Sequence, residues 1–210
     1  MKKILKMKNN KGFSLVELIV ILVVLAVLAG ILVPALLGYI DRAKTEEDML
    51  NAKNCMTAAQ GELVAMYGST KPAGTNNILF DTKSANNNNS DVEAAKSEFA
   101  KKVFTTADDH PYLFIIGMGN YNKYKESNPH YPYTVYLGMY QRTKDSRPLF
   151  FDGTNWDTLY PKDQGAYDGG NVLQVNKVKL QMYILADAGG RKATDNDIWN
   201  YMREQIKKFQ

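Results

Sequence analysis

Glu17 is the residue in this chain whose type and setting ask most plainly for chemistry. It stands at the head of residues 18–40, twenty-three residues with no side chain charged at neutral pH. A carboxylate so close to an apolar span costs roughly 2.5–3.5 kcal/mol on membrane-insertion scales, so it needs a partner and a role. Elsewhere the reactive types are sparse. His110 and His130 are the only histidines and have no second His or Cys at ligand spacing, which argues against a metal centre. No turn of the G-x-S-x-G kind presents a serine, and residues 165–170 (GAYDGG) follow no strand that would make them a phosphate loop. The chain therefore reads as a non-enzyme with no cofactor. Asp152, Asn155 and Asp157 form an oxygen-rich stretch that could hold Ca²⁺, but DGTNWD lacks the EF-hand spacing and its closing Glu. A turn held by Asx hydrogen bonds is the reading for that stretch, with no metal assigned. Cys55, the only cysteine, excludes an intrachain disulfide and reads as a small helix residue.

The element that must position Glu17 is the apolar run itself. At 1.5 Å per residue, residues 18–40 would make a helix of about 35 Å, enough to cross a hydrocarbon core of about 30 Å. Lys2, Lys3, Lys6, Lys8 and Lys11 precede it and fit an N-terminus held in the cytoplasm. An ordinary secretory signal cut after Ala29 and a plain uncleaved anchor are the two simpler alternatives. Against both, the apolar run continues past Ala29, and neither accounts for Glu17 or Pro34.

Past Asp41 the sequence turns polar but keeps a stripe of Met49, Ala52, Met56, Ala59, Leu63 and Met66, spaced 3, 4, 3, 4, 3. That seam predicts one amphipathic helix face, and Gly68-Ser69 predicts its end. One helix over residues 13–67 would be about 80 Å long.

Gly12, Phe13, Glu17 and Pro34, following a short basic leader, resemble the N-terminus of type IV pilins and of the related pseudopilins of type II secretion and competence systems. The resemblance covers about residues 8–60. It implies cleavage after Gly12 by a prepilin peptidase, N-methylation of Phe13, and assembly through Phe13, Glu17 and Pro34. The amine created at Phe13 is then the implied partner of Glu17 on a neighbouring copy. It also implies a cytoplasmic-membrane precursor in contact with lipid, then a surface filament built from this chain and other pilins, with a platform protein and an assembly ATPase acting indirectly. Without a disulfide in its C-terminal region, the chain leans toward a Gram-positive source. Removing the five leader lysines takes 26 basic residues to 21 against 22 acidic ones, so the mature chain is nearly neutral. The basic pI then says little about nucleic acid. Lys123, Lys125, Arg142, Lys144 and Arg147 could line a phosphate-binding edge, but Glu126, Asp145 and Asp152 dilute them.

The organisation expected is a leader at 1–12, a membrane and filament-core helix at 13–40, its amphipathic continuation at 41–67 and a head at 68–210. Residues 70–90 read as a polar loop, and Ser90 with Glu93 as a capping box opening a helix over about 91–103. Alternation predicts strands at 112–117, 133–141, 148–151 and 178–186, and a last helix is expected from a Thr194 or Asp195 cap with Ile198, Met202, Ile206 and Phe209 buried. The fold class is α+β: a long N-terminal helix packed on an antiparallel sheet with two smaller helices, as the pilin resemblance also implies. Tyr121, Tyr124 and Tyr131 are candidates for an adhesive surface. The function expected is a structural subunit of a type IV pilus or similar filament serving adhesion or motility. The alternatives are a pseudopilin of a secretion or DNA-uptake system and, from another class, a membrane-anchored binding module that never polymerises.

Overall fold

The structure, a computed structural model, describes residues 12–69, 90–158 and 174–187 together with residues 202, 204 and 208. The chain divides into two compact units, Met1–Glu46 and Glu47–Gln210. Helix α1 (Leu15–Ser69) runs through the apolar stretch and continues into the second unit. It stays helical at Pro34, although proline supplies no N–H to the carbonyl of Gly30 four residues back. The bend that Pro34 permits is thus no break in the helix. In the first unit the apolar side chains stand open: Leu18, Val24, Ile31 and Leu36 are each at least half exposed.

In the second unit the expected seam is buried. Ala52, Met56, Ala59 and Leu63 face the core, Met49 and Met66 flank it, and Cys55 and Ala58 widen it. Helix α2 (Ser90–Ala107) joins them through Phe99, Val103 and Phe104. It ends where Asp108 turns left-handed (φ 53°) and the Asp109 N–H reaches the Phe104 carbonyl at 3.3 Å, a Schellman closure.

Six antiparallel strands follow: β1 (Leu113–Gly119), β2 (Val135–Gln141), β3 (Leu149–Phe151), β4 (Trp156–Asp157), β5 (Gln174–Val175) and β6 (Val178–Asp187). Their order is β4-β3-β2-β1-β6-β5. Alternation along β1 sends Phe114, Ile116 and Met118 to the helix side and Leu113 and Ile115 to the opposite face. That opposite face is a second core, with Leu137, Met139, Phe150, Leu180, Met182 and the helical Met202. The fold is α+β, a long helix and smaller helices on an antiparallel sheet.

Several boundaries differ from expectation. The second strand begins at Val135, because Pro132 favours the 3₁₀ turn Tyr131–Tyr133. A short helix α3 (Tyr121–Tyr124), capped by the Asn120 side chain, fills the β1–β2 connection. Strands β4 and β5 are each only two residues long, too short for a periodic signal. β5 turns into β6 through Asn176 and Lys177 at φ 49° and 65°, the two left-handed residues of a type I′ hairpin. The leader at 1–11, the loops at 70–89 and 165–171, and the Thr194 or Asp195 cap lie outside the described residues.

Candidate assembly surface

At the N-terminus the residues expected to be processed are accessible. Gly12 is exposed and Phe13 is 79% exposed, two residues ahead of the first helical turn. Glu17 is not idle in the single chain. Its Oε2 accepts the Ser14 N–H at 2.9 Å, while the Ser14 Oγ accepts the Val16 N–H at 3.3 Å. Ser14-Leu15-Val16-Glu17 is therefore a capping box that closes orphan donors of α1. The S-x-x-E spacing carries this signal in the sequence, beneath the louder one of a carboxylate in need of a cation. The apolar side chains that follow are exposed among the described residues, and a fully buried Leu, Ile or Val contributes roughly 1.5–3 kcal/mol. The span is long and apolar enough to cross a membrane.

Three polar devices hold the helix to the sheet in the second unit. The Gln60 side chain behaves like an added strand residue: its Nε2 donates to the Tyr133 carbonyl at 2.8 Å and its Oε1 accepts the Val135 N–H at 3.1 Å. Arg142, beside the end of β2, forks onto two consecutive acids of α1, Glu47 Oε1 at 2.8 Å and Asp48 Oδ1 at 3.1 Å. Hydrogen bonding and charge from Arg142 hold the Glu47 carboxyl below its usual range, and the same pairing raises the Arg142 guanidinium. Asp109 forms the third device. Its Oδ2 accepts from the Tyr140 hydroxyl at 2.7 Å and from the Cys55 thiol at 3.6 Å. Burial first, and then the neighbouring Asp109 charge, push the Cys55 thiol well above its ordinary value; burial and the Asp109 hydrogen bond do the same to Tyr140. Cys55 is thus a protonated packing residue, as its sequence context suggested.

Other candidates resolve into structure. Asp152 Oδ1 accepts the backbone N–H groups of Thr154 and Asn155, both at 2.7 Å, so its carboxylate is spent on the β3–β4 turn. Gly153 within that turn sits at φ 94°, where a Cβ would be strained. Asp157 lies in β4 opposite Phe150. Among the described residues no three His, Cys, Asp or Glu side chains gather as a metal site. The tyrosines expected on an adhesive surface are largely packing groups, because their rings find partners inside the fold. Tyr124 is buried and its hydroxyl accepts the Lys179 N–H at 2.9 Å; Tyr131 stacks edge-on to Tyr124 and Tyr136; Tyr121 packs against the helix-side core. Of the five basic residues considered for nucleic acid, Arg142 is committed to the helix.

A helix that is apolar and capped at its accessible start, and seated on an antiparallel sheet by its later turns, defines an α+β subunit of the pilin kind. Residues 7–33 match the family model described as the prokaryotic N-terminal methylation motif. Over 95 residues the chain is 30% identical to the type IV wide pilus major component PilA4 of Thermus thermophilus, an alignment covering 39% of this chain and 70% of that protein. No solved structure matches the chain. The chain belongs to the type IV pilin family.

Proposed function

We propose that this chain is the structural subunit of a type IV pilus, cut after Gly12, methylated on Phe13 and polymerised through its apolar helix. The observation that carries the reading is the likeness to a major pilus component, which spans 39% of the chain, more than the methylation motif at residues 7–33. In the mechanism inferred here, the lysine-rich leader keeps the precursor in the cytoplasmic membrane with its N-terminus inside and the head outside. Prepilin peptidase removes residues 1–12 and so creates an amine on Phe13. That cation pairs with Glu17 of a neighbouring copy. Two unit charges about 4 Å apart attract by about 4 kcal/mol at an effective dielectric near 20, which offsets burial of the carboxylate. Cleavage thus converts a lipid-anchored monomer into an assembly-ready subunit, and the pair sets the axial register. Residues 18–37 then leave lipid for other copies, driven on by a platform protein and an assembly ATPase that acts indirectly. Loss of the Pro34 N–H lets the helix adjust locally as it packs.

The reading is tested by shearing surface filaments from the source cells and sequencing their main protein from its N-terminus. The expected outcome is this chain, in quantity, beginning Phe-Ser-Leu-Val-Glu. A pseudopilin would leave the sheared fraction nearly free of this chain while remaining processed in the membrane. A non-polymerising anchor would keep the leader, and either result would overturn the proposal.

A further inference from the structure

The fold regroups the basic residues that sequence order places together. Arg142, Lys144 and Arg147 lie beyond the end of β2, where β2 pairs with the start of β1. Lys123 and Lys125 lie at the other end of the sheet, in and just after α3. There the start of β6 joins them. The Lys179 N–H donates to the Tyr124 hydroxyl at 2.9 Å, and the Lys179 carbonyl accepts the Asn120 N–H at 2.9 Å. The β5–β6 hairpin adds Lys177. We propose that Lys123, Lys125, Lys177 and Lys179 form a docking surface for the phosphate backbone of a nucleic acid, bound without regard to sequence. The proposal goes beyond the filament reading and does not depend on it.

Charge is the first reason. None of the four lysines makes an ion pair among the described residues, and Lys123, Lys125 and Lys177 are exposed. Lys123 and Lys125 stand over the rings of Tyr124 and Tyr121, at 5.8 and 6.0 Å from the centroids, which steadies each ammonium without neutralising it. Among the described side chains, the acid within these segments is Glu126, exposed beside Lys125. On neighbouring elements stand the half-exposed Glu62 of α1 and Asp152, whose carboxylate is spent on the β3–β4 turn. Asp145 lies at the far end of the sheet with Lys144. The cations thus gather on a stretch, residues 13–210, whose net charge is near zero.

The second reason is Lys177 itself. It holds the second central position of the type I′ hairpin at φ 65°, where glycine is the favoured residue and a side chain is strained. A lysine kept there, beside three others, points to a use for its charge. The make-up of the patch then selects the partner. Among the described residues, the exposed large apolar side chains of the second unit are Leu50, Val64 and Tyr67, all on α1 and none in these segments. A lipid surface or a protein partner draws on apolar area beside the charge. A phosphate backbone needs only cations that displace its counterions.

The test embeds the full chain in discs of zwitterionic lipid and titrates it with a short mixed-sequence DNA duplex, by fluorescence anisotropy over a range of salt. One variant combines Lys123→Gln, Lys125→Gln, Lys177→Gln and Lys179→Gln. The control combines Lys44→Gln, Lys53→Gln, Lys101→Gln and Lys144→Gln, which remove the same charge from exposed sites elsewhere. The first should bind about tenfold or more weakly than wild type, with the slope of log K against log salt shallower by about 3. The control should stay within about threefold of wild type. Lys123→Gln and Lys177→Gln alone, each at an exposed site, should each make the slope shallower by about 1. Lys177→Gly should weaken binding yet raise the melting temperature by about 2 °C, since it removes the strain together with the charge. No duplex binding by the wild-type chain overturns the proposal. So does an equal loss in the sheet-end variant and the control, which would assign binding to net charge. Binding to phosphatidylglycerol vesicles without binding to the duplex also overturns it, in favour of a lipid surface. The measurement is made on the subunit, so its outcome is the same whether or not cells build filaments from this chain.

Discussion

Glu17 caps its own helix and, in the proposed assembly, pairs with the Phe13 amine of a neighbouring copy; Glu17→Gln separates the two roles. In the single chain its carboxylate accepts the Ser14 N–H at 2.9 Å and completes a capping box. Losing a cap of this kind costs about 0.5–2 kcal/mol. Pairing with the Phe13 amine of a neighbour is worth about 4 kcal/mol at 4 Å and an effective dielectric near 20. The pair therefore outweighs the cap once cleavage has made the amine, and Glu17 should exchange one for the other on assembly. Glutamine keeps the acceptor oxygen that a capping box uses but carries no charge. Glu17→Gln should thus preserve membrane insertion and processing, yet weaken subunit association by about a thousandfold. Glu17→Ala loses both partners and should do no better. Ser14→Ala, which loses only the cap's hydroxyl, should leave filaments largely intact. The assay is the ratio of sheared filament to processed membrane subunit by immunoblot, with the N-terminal residue checked in each variant. Filaments from Glu17→Gln at wild-type yield, with Glu17→Ala defective, would show that the carboxylate matters as a helix cap and would refute the intersubunit pair.

Two further outcomes concern the head. A Cβ at Gly119 would lie 2.6 Å from the Tyr131 carbonyl oxygen, a backbone atom that cannot swing aside, so Gly119→Ala should destabilise by about 1–3 kcal/mol. An unchanged denaturation midpoint for the full chain in detergent would contradict that packing. Stability should also fall at alkaline pH. Cys55 and Tyr140 hold their protons in the folded state above their ordinary values of 9.0 and 10.0, so below those values both states are neutral and the contribution is complete. As pH rises past them the unfolded chain ionises first, and the free energy of unfolding declines. The midpoint measured from about pH 8 to about pH 11 should drop, and the drop should shrink in Tyr140→Phe. A midpoint equally steep in both proteins would locate the effect elsewhere.

Much of the fold was legible because it rests on periodicity. The seam from Met49 to Met66 repeats long enough to mark one helix face, and all six positions face the head's core. The strands β1, β2 and β6 alternate over seven residues or more and were visible within a residue or two at most ends. Two-residue strands have no period to detect, so β4 and β5 emerged only from pairing with their neighbours. Pro132 shortened β2 at its start, and the tyrosine-rich β1–β2 connection folded inward because Lys179 and Asn120 supplied backbone partners. The Ser14–Glu17 capping box has its full spacing in the sequence, but a carboxylate beside an apolar run points to charge before it points to a cap.

By itself the sequence determined the N-terminal part of this protein: a charge at the head of an uncharged span, a glycine–phenylalanine step before it, and an apolar helix long enough to cross a membrane. Those features act over neighbouring residues, so chain order alone carries them. Only the tertiary structure decided how the helix is tied down. Gln60 reaches residues 133 and 135, Arg142 reaches Glu47 and Asp48, and Asp109 reaches Tyr140 and Cys55. These partners lie 31 to 95 positions apart in sequence. No local spacing encodes such contacts. They exist because burying the helix seam on the sheet brings those side chains within hydrogen-bond reach.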